Sequence, residues 1–251
     1  MAFVNSFKAP VTDAIDLSEC LKIPYDINSC IPVPPILETE RVQLVPFIPA
    51  LHAQLFYDVY AKHPEISRYL PVEWPTFDSL LKFTEVNIRT DPTSVLFTII
   101  DKTKPKQSDE IPGQIAGLIG WLHASARTLS AEIGPVIILP EFQRSFVATN
   151  ATGLLLQYFL DLPTQGGLGF RRVFWCANPF NEPSVNAAKK MGFVQEGVMR
   201  WTWVLSDGKE GKPVDGKRGT GPGRDSAILS ICWDDWDGGV RDSLQKRMDR
   251  V

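Results

Sequence analysis

From residue 38 onward the chain alternates between two hydrophobic periods. RVQLVPF (41–47) begins in strand-like alternation, and PALHAQLFYDVYA (49–61) spaces Leu51, Leu55 and Val59 at the helical interval. TFDSLLKFTEVNIRT (76–90) carries Phe77, Leu80, Leu81, Thr84 and Ile88 on one helical face, with Thr76 as N-cap and Asp91-Pro92 as its stop. VLFTII (95–100) then reads as a buried strand. QIAGLIGWLHA and TLSAEIGPVIIL read as two more, joined around Ala126 and Arg127, which predicts a meander of antiparallel strands.

PEFQRSFVATNATGLLLQYFL (140–160) opens polar and closes as a helix that buries Leu154, Leu155, Tyr158 and Phe159. The loop PTQGGLGF leads to a short strand, RRVFWCA, so a strand-helix-strand unit with parallel strands is expected. NEPSVNAAKKMGF is a further helix, closed by Gly192, and VQEGVMRWTWVL is a long strand. GRDSAILSICW returns antiparallel to it, making residues 207–223 a hairpin insertion too glycine-rich to order by itself. The first 37 residues hold five prolines and end in IPVPPIL, which suits an extended arm packed on a domain surface. The expected division is an arm, 1–37, and one domain, 38–251.

Composition narrows the function. With 44% hydrophobic residues the chain can bury the core of one large domain. A net charge of −3 leaves no basic footprint, so no nucleic acid is expected as a partner. No apolar run approaches the roughly 18 residues that cross a bilayer. MAFVNSFKAPVTDAIDLSEC lacks a basic-then-apolar leader, so no membrane and a cytoplasmic location are expected. Cys20, Cys30, Cys176 and Cys232 show no metal or redox spacing and read as buried free thiols. His52, His63 and His123 are scattered, so no metal is assigned, and GxSxG is absent. A small-molecule partner fits best, with the chain a monomer or a homodimer.

The chemistry concentrates where AEIGPVIIL meets QRSFVAT. A strand-to-helix turn presents first-turn N–H groups without intrahelical acceptors, and with the helix dipole these favour a diphosphate. That turn, the segment NPFNEPSVNAAKKMGFVQEGVMR and the final GRDSAILSICWDDW together resemble the GNAT family of acetyl-CoA-dependent N-acetyltransferases, nearest to its ribosomal-protein branch. The resemblance runs from Glu38 to Trp236. It implies an α+β fold: a mixed, mostly antiparallel central sheet with splayed middle strands, flanked by helices.

It also implies acetyl-CoA as donor, its pantetheine arm along the backbone of Gly134, Val136 and Ile138 and its pyrophosphate on Gln143, Arg144, Ser145, Phe146, Val147, Ala148 and Thr149. Phe146 stands where the family pattern has glycine. A left-handed backbone there would cost Phe roughly 1–2 kcal/mol. Acceptor chemistry sets a further demand: at pH 7 an α-amine of pKa about 8 is roughly 10% neutral, but a lysine-like amine near 10.4 only about 0.04%.

Glu132, where a strand reaches the cleft, is the candidate base, or else a solvent-facing strand residue. By the same resemblance Ser184 is a proton donor to the leaving thiolate, or else a helix-start hydroxyl bonded to backbone. The tyrosine that many relatives use four residues before the GF glycine is Ala188 here. Asn181 holds the cofactor or caps its helix. Tyr69 and Trp74 lie in the region that shapes the acceptor pocket in this family. Trp201 and Trp203, on one strand face, are an aromatic wall for the acceptor or plain core. Arg224-Asp225 reads as a structural ion pair. The function implied is direct transfer of acetyl to a primary amine of a small molecule. Its alternatives are a non-catalytic acyl-CoA-binding or scaffold protein and an acetyltransferase for protein N-termini.

Overall fold

Strands β1 (Leu37–Glu38), β2 (Val42–Pro46), β3 (Val95–Asp101), β4 (Gln114–Ser125), β5 (Ser130–Ile138), β6 (Arg172–Ala177), β7 (Val194–Val204) and β8 (Gly223–Cys232) form one sheet, ordered β1-β2-β3-β4-β5-β6-β8-β7. This computed structural model describes Ser6 and residues 15–250; the arm expected over 1–5 and 7–14 lies outside the described residues. Only β5 and β6 pair in parallel, and only from Ser130–Glu132 against Arg172–Phe174. Beyond that point β5 stays with β4 as far as Ile138, while β6 stays with β8 as far as Ala177. The two middle strands therefore splay, and β5 beyond Glu132 has an edge without a strand partner.

Helix α1 (Pro49–Tyr60), α2 (Phe77–Phe83), α3 (Val147–Leu160), α4 (Glu182–Lys190), the short α5 (Trp233–Asp235) and α6 (Arg241–Met248) flank the sheet. Thr76 caps α2 in a reciprocal box with Ser79, and wider π-type turns prolong that helix through Arg89. Crossover helix α3 packs its inner face on the sheet around Trp121, whose ring lies 5.9 Å from Tyr158 and 5.3 Å from Phe159. Trp121 and Phe159 are fully buried, each stabilising the fold by about 2–3 kcal/mol. Among the described residues no helix is long and apolar enough to cross a membrane.

Two expectations need correction, and a third, the insertion that does not order by itself, gains its physical reason. In α1 the buried face is His52, Ala53, Phe56 and Tyr60, while Leu51 is exposed and Leu55 and Val59 are half-buried. Larger rings win that face: Phe56 and Tyr60 pack with Trp74 in one aromatic cluster. Of the cysteines only Cys20 is buried, Cys176 and Cys232 are half-buried, and Cys30 is exposed. The 207–223 insertion docks on the body. Lys209 donates to the Ser67 carbonyl at 2.9 Å, Arg68 pairs with Glu210, and Lys212 bridges Gly223 through the backbone. Charged side chains near the start of the insertion, and the backbone bridge that closes it, hold what its glycines cannot.

Within the described part of the arm, Tyr25 donates to Glu85 at 2.8 Å and Asn28 to the Arg89 carbonyl at 2.7 Å. Farther along, the Pro32 carbonyl accepts from the Tyr158 hydroxyl at 2.6 Å. The arm thus crosses from the end of α2 to α3 before it enters the sheet as β1.

Candidate active site

The splay between β5 and β6 opens a cavity of about 350 Å³. One wall is β5 from Glu132 to Ile137; the other is Trp175, Cys176 and Ala177 of β6 with Asn178, Asn181 and Ser184. Tyr69, Trp74, Trp203 and Arg224 complete the lining. Glu132, Ser184, Asn181, Gly134, Val136, Tyr69, Trp74 and Trp203, all singled out from sequence, therefore meet around one space.

Glu132 is largely buried, and its Oε2 lies 3.0 Å from Nδ1 of His123, whose side chain is 63% exposed. The β4–β5 register shifts after Leu122, and His123 takes a left-handed backbone, φ 54. That irregularity puts the imidazole beside a glutamate it would otherwise miss. The hydrogen bond to Glu132 raises the His123 pKa above its ordinary 6.5, against the opposing effect of burial. A carboxylate coupled to an exposed imidazole is a base with a proton path to solvent. Cys176 lies near the same carboxylate. Burial, reinforced by Glu132, pushes its pKa up to about 12, so it stays a neutral thiol.

Across the cleft, Asn181 caps α4 by accepting the Ser184 N–H at 3.2 Å, and the Ser184 hydroxyl oxygen accepts the Trp175 indole N–H at 3.0 Å. An oxygen already accepting from Trp175 keeps its own proton free to donate into the cavity. The Ser184 hydroxyl therefore meets a side chain and not the backbone, while its N–H serves the cap.

The turn before α3 answers the question set by Phe146. Phe146 is right-handed (φ −67, ψ −18), and the left-handed position belongs to Arg144 (φ 58). The steric charge expected against Phe146 does not arise. Its ring instead packs on the core under the Arg41 guanidinium, 4.3 Å from the ring centroid. Gln143 donates from its side chain to the Ile138 carbonyl, and Ser145 donates to the Phe142 carbonyl while accepting the Val147 N–H. Among the described residues the N–H groups of Phe146, Ala148 and Thr149 have no acceptor, and Arg144 is exposed. Ile138 and this turn lie outside the cavity that holds Glu132.

Trp201 and Trp203 do not share a face. β7 bulges against β8 between Met199 and Trp203, with Trp201 left-handed at φ 56, so simple alternation fails there. Trp201 lies over Gly223, where a Cβ would overlap its ring, and the Lys212 ammonium sits 4.7 Å from its centroid. Only Trp203 lines the cavity. Nor do Arg224 and Asp225 pair: Asp225 accepts from Lys212 and from the Trp201 N–H, and Arg224 turns inward. Adjacent strand residues face opposite ways, which is why.

His123 and Arg224 are the site residues that sequence reasoning missed or misplaced. The Arg-Asp spelling was visible, but a backbone bulge gives no sequence signal for His123. Among the described residues the single group with metal-ligand spacing is Cys232, Asp234 and Asp235, away from the cavity, and there Asp235 already accepts the Cys232 N–H.

The sheet is mostly antiparallel and splays at its parallel pair, with a carboxylate and a hydroxyl lining the cavity that opens there. The acetyltransferase (GNAT) domain family matches residues 41–194, and the chain belongs to that family of N-acetyltransferases. A GCN5-related N-acetyltransferase from Brucella melitensis shares the fold at TM-score 0.69 and 24% identity, over 86% of this chain and 86% of that one. Spermidine N-acetyltransferase from Vibrio cholerae, solved with CoA and spermine, gives TM-score 0.56 and 16% identity, over 79% of this chain and 99% of that one. The Salmonella typhimurium enzyme that modifies the N-terminal serine of a 50S ribosomal subunit protein gives 0.59 and 14%, over 78% and 98%. No curated protein matches the sequence significantly.

Proposed function

We propose that the protein transfers acetyl from acetyl-CoA directly to a primary amine of a small molecule. The observation that carries this reading is that Glu132 and Ser184 line the same cavity. The thioester enters along β5 from Gly134 to Ile138, with the pyrophosphate on the Gln143 to Thr149 turn and Arg144 reaching a phosphate. Asn181 borders the pantetheine end. The amine loses its proton to Glu132, backed by His123, and its lone pair attacks the thioester carbonyl carbon. The C–S bond breaks, and Ser184 gives its proton to the departing thiolate. Cys176, the thiol in the cavity lining, is held neutral, which favours direct transfer over an acyl-cysteine intermediate.

The docked insertion supports a small acceptor over a protein N-terminus, because Lys209 and Glu210 tie it to residues 67–73 beside Tyr69. The division into a 1–37 arm and a 38–251 domain belongs to the same reading. A scaffold role loses its main motive once Phe146 is right-handed.

The test is acetyl-CoA turnover against a panel of free amines and, separately, N-terminal peptides. Glu132→Gln is expected to lower kcat/KM by on the order of a hundredfold or more, and Ser184→Ala to lower kcat with little change in cofactor affinity. Full turnover by the double variant would remove both roles, and turnover of peptides alone would transfer the reading to protein N-termini.

A further inference from the structure

Arg224 is a buried charge without a bonded partner. It is 6% exposed, its Nε is fully buried with no acceptor, and among the described residues its guanidinium makes no hydrogen bond or ion pair. The cations nearby are answered: Arg68 pairs with Glu210 and Lys212 with Asp225. Arg224 borders both the cavity of Glu132 and an adjoining one of about 620 Å³, and Tyr69 and Asn178 are the other residues common to both linings.

A buried cation left without a counter-charge carries a large desolvation penalty. Burial draws the Arg224 pKa down, and the nearby Glu132 carboxylate acts to hold it up. Glu132 is nevertheless bonded to His123 and forms no salt bridge with this arginine. The cavity therefore presents a carboxylate and, apart from it, a guanidinium whose donors are unspent.

Resting on the acetyl-transfer reading of this cleft, we infer that Arg224 receives a carboxylate of the acceptor, so that the acceptor class is a small amino carboxylate. Its amine faces Glu132 and its carboxylate meets the guanidinium, whose planar fork matches two carboxylate oxygens. A single cation beside an existing glutamate suits one negative charge better than a phosphate dianion. The diphosphate of the donor belongs elsewhere, since the 143–149 turn borders neither cavity. Tyr69 and Trp203 leave apolar surface for the rest of the acceptor.

The experiment measures acetylation of a panel of free amino acids, each beside its carboxamide, by wild type, Arg224→Lys and Arg224→Met. Wild type is expected to prefer the acid at least tenfold in kcat/KM, mainly through KM. Arg224→Lys should keep part of that preference, and in Arg224→Met the ratio should fall to near one. Equal use of acid and amide by wild type would overturn the inference. So would a Met variant whose acid-to-amide ratio matches wild type while both rates fall, because the guanidinium would then serve the reaction and not the carboxylate. Arg224→Met should fold with an unchanged or higher Tm, since it removes an unpaired buried charge. A second readout needs no turnover: calorimetric binding of N-acetyl amino acids to the CoA-loaded protein, expected to weaken tenfold or more in Arg224→Met. No binding to wild type, or equal binding by both, would overturn the inference. Failure of the acetyltransferase reading is separately visible as absence of acetyl-CoA binding.

Discussion

Arg144 holds the left-handed position of the turn before α3, and a non-glycine residue is strained there. Arg144→Gly is expected to raise stability by about 1 kcal/mol in urea denaturation while weakening acetyl-CoA binding several-fold through loss of an exposed cation. Phe146→Gly should tighten nothing, because Phe146 is already right-handed. The family pattern marks where the turn lies. Which of its residues bears the strain depends on the path into α3, which no residue spelling reveals. At His123 the sign is set by the partner. Its folded pKa is raised above 6.5 by Glu132, so the charged pair stabilises the protein fully below pH 6.5 and loses that contribution as pH rises through the folded value. Catalysis should run the other way, since loss of the His123 proton frees the Glu132 carboxylate from its charged partner. His123→Gln is expected to displace the ascending limb of the pH profile of kcat/KM, measured with one acceptor throughout; an identical profile would detach His123 from the reaction.

At the scale of elements, the end of α3 is fastened to the C-terminal helices through one carboxylate. Buried Asp161 accepts from the Trp236 indole at 2.9 Å and from Arg241 at 2.7 Å. Removing its charge leaves two donors poorly matched, so Asp161→Asn is expected to cost about 2 kcal/mol in equilibrium unfolding. A change near zero would mean that α6 packs by its apolar contacts alone. Most element types were legible because long segments such as VLFTII and NATGLLLQYFL hold one period throughout. Orientation was less so. The leucine stripe of α1 has the right spacing, yet the neighbouring Phe56 and Tyr60 take the core face, because Trp74 arrives from the next segment to meet them. On β7 alternation was read straight through a bulge, which misplaced Trp201.

Across the whole molecule, the site gathers residues from 69–74, 132–137, 175–184, 203 and 224 around one opening in the sheet. Glu132, Gly134 and Val136, proposed to meet the donor, were legible because they follow one another along a single strand of recognisable pattern. On the side proposed for the acceptor, Tyr69, Trp74 and Trp203 were singled out from sequence, whereas His123 and the inward turn of Arg224 were not, because the first depends on a backbone bulge and the second on which face of its strand the arginine takes. On the acetyl-transfer reading, the splayed sheet and its turn without glycine take acetyl-CoA. Calorimetric titration of the full chain with acetyl-CoA, with free CoA alongside, tests it most directly. The account predicts binding at micromolar affinity that Arg144→Gly weakens and Phe146→Gly does not improve. No heat and no competition at millimolar cofactor would contradict it.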